Sequence, residues 1–174
     1  HAGHQHMCNE DGNLWLVYNG EKFNFHQIKN ELQKLGHRIK AKTDSEVIIH
    51  GYEEWGEKIL YRFRGMFSFA LWDEKNDTLF CARDRFGIKP FFYYWHNNLF
   101  LFASELKALH QHPKFIKELN INTVAAFMQF GNVPTPHCIF NNCHKLKPGH
   151  YLNFKLETRN LRHVMYWNVY DAYN

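Results

Sequence analysis

Two stretches constrain this chain more than any other: Met66 to Trp72 with Thr78 to Ala82, and Phe91 to Trp95 with Leu99 to Ala103. Each is a pair of apolar, β-forming runs around a short polar connection, Asp73-Glu74-Lys75-Asn76-Asp77 in one and His96-Asn97-Asn98 in the other. They read as two hairpins with antiparallel pairing. The runs alternate little between apolar and polar residues, the pattern of sheets covered on both faces. Helices must supply the cover.

Leu14 to Tyr18 reads as a further strand, and Asn19-Gly20 behind it as a tight turn. Asn24 stands where a helix cap belongs, with Gln27 three residues on. Phe25, Ile28, Leu32 and Leu35 then repeat at helical spacing up to Gly36. Thr43 and Glu46 form a second capping-box pattern, followed by Val47, Ile48, Tyr52 and Trp55 along one side of another helix, with Asp44 in its first turn. Shorter helices are expected near Ser104 to Leu109 and Thr123 to Phe130, and last strands at Tyr151 to Lys155 and His163 to Trp167. Two early helices, a block of strands and later short helices argue for α+β layers and against a parallel doubly wound sheet.

At 174 residues the chain suits one domain. A 45% hydrophobic and 22% charged composition excludes disorder and fibrous classes. Net charge is +4, with lysines and arginines scattered among carboxylates, which gives no support to nucleic acid binding. No apolar run approaches the roughly 20 residues of a membrane span, and His1-Ala2-Gly3-His4 does not resemble a signal peptide. Four irregularly spaced cysteines, Cys8, Cys81, Cys138 and Cys143, suit reduced thiols in a cytoplasmic protein.

Walker A, G-x-G-x-x-G, H-E-x-x-H and G-x-S-x-G motifs do not occur. Cys138 and Cys143 with His137 and His144 cluster superficially like metal ligands, but their spacing favours loop packing, and His1, His4 and His6 read as solvated histidines. No metal site is expected. The Arg83-Asp84-Arg85 ion cluster precedes loop punctuation at Gly87 and Pro90 and reads as structural. The aromatic run from Phe91 to Trp95 reads as packed core.

Longer strings carry a specific signal. G-H-Q-H-M-C-N-E-D-G at 3 to 12, N-G-E-K-F-N at 19 to 24, T-D-S-E-V-I at 43 to 48 and F-R-G-M-F-S-F-A-L-W-D at 63 to 73 come first. R-D-R-F-G-I-K-P at 83 to 90, A-S-E-L-K-A-L at 103 to 109 and K-L-K-P-G-H-Y-L at 145 to 152 follow in order. Together they resemble the class II amidotransferase half of glutamine-dependent asparagine synthetases over nearly the whole chain. The resemblance implies a four-layer αββα sandwich of antiparallel sheets, of N-terminal nucleophile hydrolase type.

In that family an N-terminal cysteine attacks the glutamine side-chain amide with its own α-amino group as base, and the ammonia passes to a second domain that activates aspartate with ATP. The resemblance assigns Asn19 and the backbone N–H of Gly20 to the oxyanion hole, and Glu21 and Asp44 to the glutamine α-ammonium. The plainer readings are a turn at Asn19-Gly20 and a helix cap at Asp44. Glutamine and a synthetase domain of the same polypeptide are the expected partners, with a homodimer possible for the intact enzyme. No cofactor is expected in this chain; ATP and Mg2+ belong to the synthetase domain.

The departures from the family shape a further expectation. The sequence starts at His1 and contains no Met-Cys-Gly, no R-G-P-D, no H-R-L-S-I with its carboxylate-gripping arginine, and no S-G-G-x-D-S loop. Lys22 and Phe23 stand where isoleucine and tyrosine usually follow N-G-E. Cys8, followed by Asn9 and not glycine, falls at an ordinary position of its string. The expectation is a fold incomplete at its N-terminus, with residues 1–168 a partial amidotransferase domain and 169–174 the start of a linker. Such a chain lacks the nucleophile, is inactive alone, and exposes apolar sheet surface. The alternatives are a non-catalytic glutamine-binding or interaction module and a related amidotransferase with another acceptor.

Overall fold

The structure, a computed structural model, describes residues 7–40 and 44–172. The histidines at 1, 4 and 6, the Thr43 cap and the last two residues lie outside the described residues. In chain order the elements are β1 (Met7–Cys8), β2 (Leu14–Lys22), α1 (Phe25–Lys34), α2 (Glu46–Trp55), a 3-10 turn (Gly56–Lys58) and α3 (Ile59–Arg62). Next come β3 (Gly65–Asp73), β4 (Thr78–Arg83), β5 (Phe92–His96), β6 (Leu99–Ala103), α4 (Leu106–Leu109) and α5 (Ile121–Phe130). The chain closes with β7 (Cys143–Lys145), β8 (His150–Lys155), β9 (Asn160–Met165) and a 3-10 turn (Val169–Ala172). One sheet has the order β1-β2-β3-β4-β8-β9 and the other β6-β5-β7. The pairings are antiparallel throughout.

Strand alternation stacks these sheets between helices. Phe67, Phe69 and Leu71 of β3 and Phe80 and Ala82 of β4 pack with Ile28 and Leu32 of α1 and with Val47, Ile48 and Ile49 of α2. Their neighbours Ala70, Cys81 and Leu152 face the other way, against Phe91, just before β5, and Tyr93, Phe100 and Phe102 of the three-stranded sheet. The outer face of that sheet, through Tyr94, Leu99, Leu101 and Cys143, packs on Leu106, Leu109, Phe115 and Cys138. The result is the expected αββα order, and both hairpins sit where the apolar runs put them.

Asn19-Gly20 is not a turn. β2 continues through Lys22, pairing Gly20 with Phe67 and Lys22 with Gly65. The glycine is needed for a close approach: a Cβ there would stand 2.3 Å from the Met66 carbonyl oxygen and 2.7 Å from Phe67 Cα. Asn24 occupies the cap position of α1, but its side chain makes no cap bond. It donates to the Arg62 carbonyl and accepts from the Arg64 N–H, tying α1 to the approach to β3. The three-stranded sheet does not cover the β1–β2 end of its partner, and Trp15 (47%) and Val17 (38%) are exposed there. Among the described residues no helix is long and apolar enough to cross a membrane.

Candidate functional site

A cavity of about 370 Å³ opens between the two sheets beside the second half of β2. Val17, Asn19, Ser68 and Ala70 line it from one sheet, and Phe91, Phe102, Ala103, Ser104 and Glu105 from the other side. The volume and mixed lining suit a small ligand. Asn19 Nδ2 donates to Ser104 Oγ at 3.2 Å, so an amide donor is held at the cavity wall. Neither Ser104 nor Glu105 was singled out from the sequence, where only their place in the A-S-E string was visible.

The ladder fixes where the backbone N–H of Gly20 points. Phe67, its partner on β3, turns both backbone groups towards Asp84: the Asp84 N–H donates to Phe67 O at 2.8 Å, and the Phe67 N–H donates to Asp84 Oδ2 at 3.3 Å. Gly20 and Phe67 are therefore a non-hydrogen-bonded pair, and the Gly20 N–H points away from β3, off the edge of the sheet. β1 accompanies that edge only as far as the Met7–Leu16 pair, and among the described residues no strand continues along it. Lys22 has the same phase, and its N–H donates to Asp44 Oδ2 at 2.8 Å. Asp44 thus stands off the edge that Gly20 faces.

Asp44 is held there by a second donor, the Tyr18 hydroxyl, at 2.5 Å. Both bonds fall on Oδ2, and among the described residues Oδ1 accepts none. Burial, reinforced by the Asp44 bond and the charges of Asp44 and Glu21, pushes the Tyr18 phenol far above its ordinary range, so it remains a donor to the carboxylate. Glu21 is exposed and on the Asn19 face of the strand. A side-chain amide, an outward N–H and two carboxylates thus occupy one end of β2. Asn19 reaches the inter-sheet cavity, whereas Asp44 meets Tyr18 and Lys22 towards the helical layer and does not line that cavity.

Lys22 is the unusual member. Its side chain is buried, and Nζ lies 3.7 Å from the Tyr18 ring centroid, 4.8 Å from that of Phe63 and 5.4 Å from that of Phe67, with no hydrogen-bond partner. Burial drives its ammonium well below the ordinary lysine range, and the Asp44 charge only partly opposes this.

Arg83, Asp84 and Arg85 spend their polar atoms on backbone. Asp84 accepts from the N–H groups of Phe67, Phe86, Ile88 and Lys89. Arg83 donates to the carbonyls of Gly87, Lys89 and Leu146. Arg85 donates to those of Phe63 and Tyr61. This is a structural cluster. None of the four cysteines lines the cavity: Cys8 is exposed on β1 opposite Trp15, Cys81 is buried between the sheets, and Cys138 and Cys143 lie in the outer layer.

Residues 1–167 match the family model described as a glutamine amidotransferase domain. The chain is 38% identical over 171 residues to "Asparagine synthetase [glutamine-hydrolyzing] 3" of Bacillus subtilis, covering 97% of this chain and 28% of that protein. It is 37% identical over 174 residues to "Asparagine synthetase [glutamine-hydrolyzing] 2" of the same organism, covering 97% of this chain and 23% of the relative. The chain therefore spans less than a third of the length of these curated relatives. Among solved structures it resembles the glutamine phosphoribosylpyrophosphate amidotransferase of B. subtilis, with a TM-score of 0.60 at 19% identity, covering 92% of this chain and 30% of that one. At that identity the likeness bears on the fold, and it agrees with the sandwich described above. The chain belongs to the class II glutamine amidotransferase domain family, built on the N-terminal nucleophile hydrolase fold.

Proposed function

We propose that this chain is the glutamine-handling part of an asparagine-synthetase-like protein, with Asn19 and the Gly20 N–H as donors to the amide oxygen and Glu21 and Asp44 as partners of the α-ammonium. The observation that supports it most is the N–H of Gly20, which points away from β3 on the edge of β2 where the Lys22 N–H meets the Asp44 carboxylate, next to the Asn19 amide in sequence. Paired donors aimed at one oxygen are what stabilises negative charge developing on a carbonyl under attack. A carboxylate fixed through Oδ2, whose Oδ1 accepts no hydrogen bond among the described residues, suits an ammonium group.

In this reading glutamine hydrolysis supplies ammonia for ATP- and Mg2+-dependent amidation of aspartate in a synthetase domain, to which residues 169–174 lead from a domain ending at 168. The relatives' names and the motif order support asparagine formation; a different acceptor is the runner-up. The free cysteines support a cytoplasmic setting. With no cysteine at the cavity, the 174 residues by themselves bind glutamine without releasing ammonia, so a binding role alone is the form this chain expresses in isolation.

Isothermal titration with L-glutamine tests this. Binding is expected, with Asp44→Asn, which keeps the acceptors for Tyr18 and Lys22, weakening it about 10- to 100-fold, the loss of one charge-assisted hydrogen bond. A folded chain that binds no glutamine, or binds it equally well as Asp44→Asn, would remove the assignment. Ammonia release abolished by Cys8→Ala would overturn the non-hydrolysing part.

A further inference from the structure

At the other end of β2, on the order of 15 Å from Asn19 by strand rise, polar side chains converge outside the cavity. His50 and Glu53 are three residues apart on α2 and share one face. The segment after α1 brings His37 against them. One donor atom from each of the three lies within 4.8 Å of the other two. His50 Nδ1 and Glu53 Oε2 are 2.8 Å apart, and His37 Nδ1 is 3.7 Å from the same oxygen. The imidazole centroids are 5.2 Å apart.

Further polar groups stand near the outward atoms of all three. Asn9 Nδ2 donates to Glu53 Oε1 at 2.8 Å. His37 Nε2 faces Glu54 Oε2 at 3.2 Å, and His50 Nε2 faces Glu10 Oε2 at 3.9 Å. His50 is buried, whereas Glu53 and Glu10 reach solvent, so the cluster has a floor and an open side.

We propose that His37, His50 and Glu53 form a binding site for a divalent transition-metal ion, best matched by zinc. Two imidazoles and a carboxylate are a nitrogen-rich set that suits zinc, while calcium and magnesium prefer oxygen ligands alone. Three protein ligands leave a fourth position for water. A metal-bound imidazole characteristically gives its second nitrogen to a carboxylate, which fixes its tautomer and raises its basicity. His37 has such a carboxylate within hydrogen-bond reach in Glu54, and Glu10 stands 3.9 Å from the second nitrogen of His50. With Glu53, these three acidic side chains surround the two imidazoles with negative charge that favours a dication. Tetrahedral bonds of about 2.1 Å put ligand atoms about 3.4 Å apart, so binding parts the His50 Nδ1 and Glu53 Oε2 atoms, now 2.8 Å apart, and draws His37 Nδ1 in from 3.7 Å. His37, on the connection between α1 and α2, is the member that moves. The ion would clamp that connection to α2 and, through Glu53 and Asn9, to the turn before β2.

The test is calorimetric titration of the metal-stripped chain with ZnCl2, alongside thermal unfolding with and without zinc. One ion per chain and a raised Tm are expected. His37→Ala and Glu53→Gln, both at solvent-reached positions, each remove the stoichiometric binding, and Glu54→Gln weakens it about 10- to 100-fold. The pair His4→Ala and His6→Ala leaves it unchanged. Absence of stoichiometric binding overturns the site, as does binding that survives His37→Ala and Glu53→Gln and disappears with His4 and His6. The cluster would then be hydrogen-bonded only.

Discussion

Lys22 puts an amine where the packing has no use for one. Its Nζ is enclosed by the rings of Tyr18, Phe63 and Phe67 and lacks a partner, so folding strips its hydration with only cation–π contacts and the nearby Asp44 charge in return. Lys22→Met, of similar shape, is expected to raise stability by about 1 to 3 kcal/mol, in line with replacements of buried charge by apolar groups. The linkage has a definite sign. The amine's folded pKa is depressed, so between that value and the unfolded value of about 10.4 the unfolded chain binds the extra proton, and stability rises with pH. Denaturant unfolding followed from neutral to alkaline pH should show this rise in the wild-type chain and lose that component in Lys22→Met; parallel profiles would refute it. The sequence exposed the substitution of lysine for isoleucine but not its burial, since Phe63 and Phe67 arrive from more than forty positions away. The Asn19 to Ser104 bond was hidden for the same reason, its partners being 85 positions apart.

Local signals located the elements, and failed where an element depends on a distant partner. The hairpin of β3 and β4 and that of β5 and β6 were legible because polar turns interrupt apolar runs, and the turns have the backbone such residues tolerate: Asp77, Asn97 and Asn98 all have positive φ. β2 was read too short because Asn-Gly is a turn signal in isolation, whereas here β3 lies alongside and makes the pair part of a ladder. β7, only three residues long, exists because β5 offers it an edge. The Asn120 cap of α5, which accepts from the Thr123 N–H, went unread. The loop from β4 to β5 rests on one side chain. Asp84 is 1% exposed and accepts four backbone N–H groups, so Asp84→Ala leaves buried donors without acceptors. A loss of about 3 kcal/mol or more is expected in urea unfolding; a loss below about 1 kcal/mol would mean that water replaces the carboxylate and the loop is not organised by it.

At the scale of the molecule, the lack of alternation in the strands announced buried sheets, and the family strings supplied the order of layers. What neither disclosed was the membership of the sheets. β8 returns to β4 after the whole three-stranded sheet has been built, a pairing that no local pattern encodes. Among the described residues the sandwich is also asymmetric, with six strands facing three, Trp15 and Val17 are exposed at one end, and α5 presents Ile121, Met128 and Phe130 to solvent. Among the described residues no strand accompanies β2 beyond Leu16 on the edge off which the Gly20 N–H points. The measurement that bears most directly on this account is an amide-resolved NMR titration with L-glutamine. The account predicts shifts concentrated at the Asn19 side-chain amide and the backbone N–H groups of Gly20, Glu21 and Lys22, with the turn before β2 unmoved. Shifts confined to other surfaces, or none at saturating glutamine in a folded chain, would contradict it.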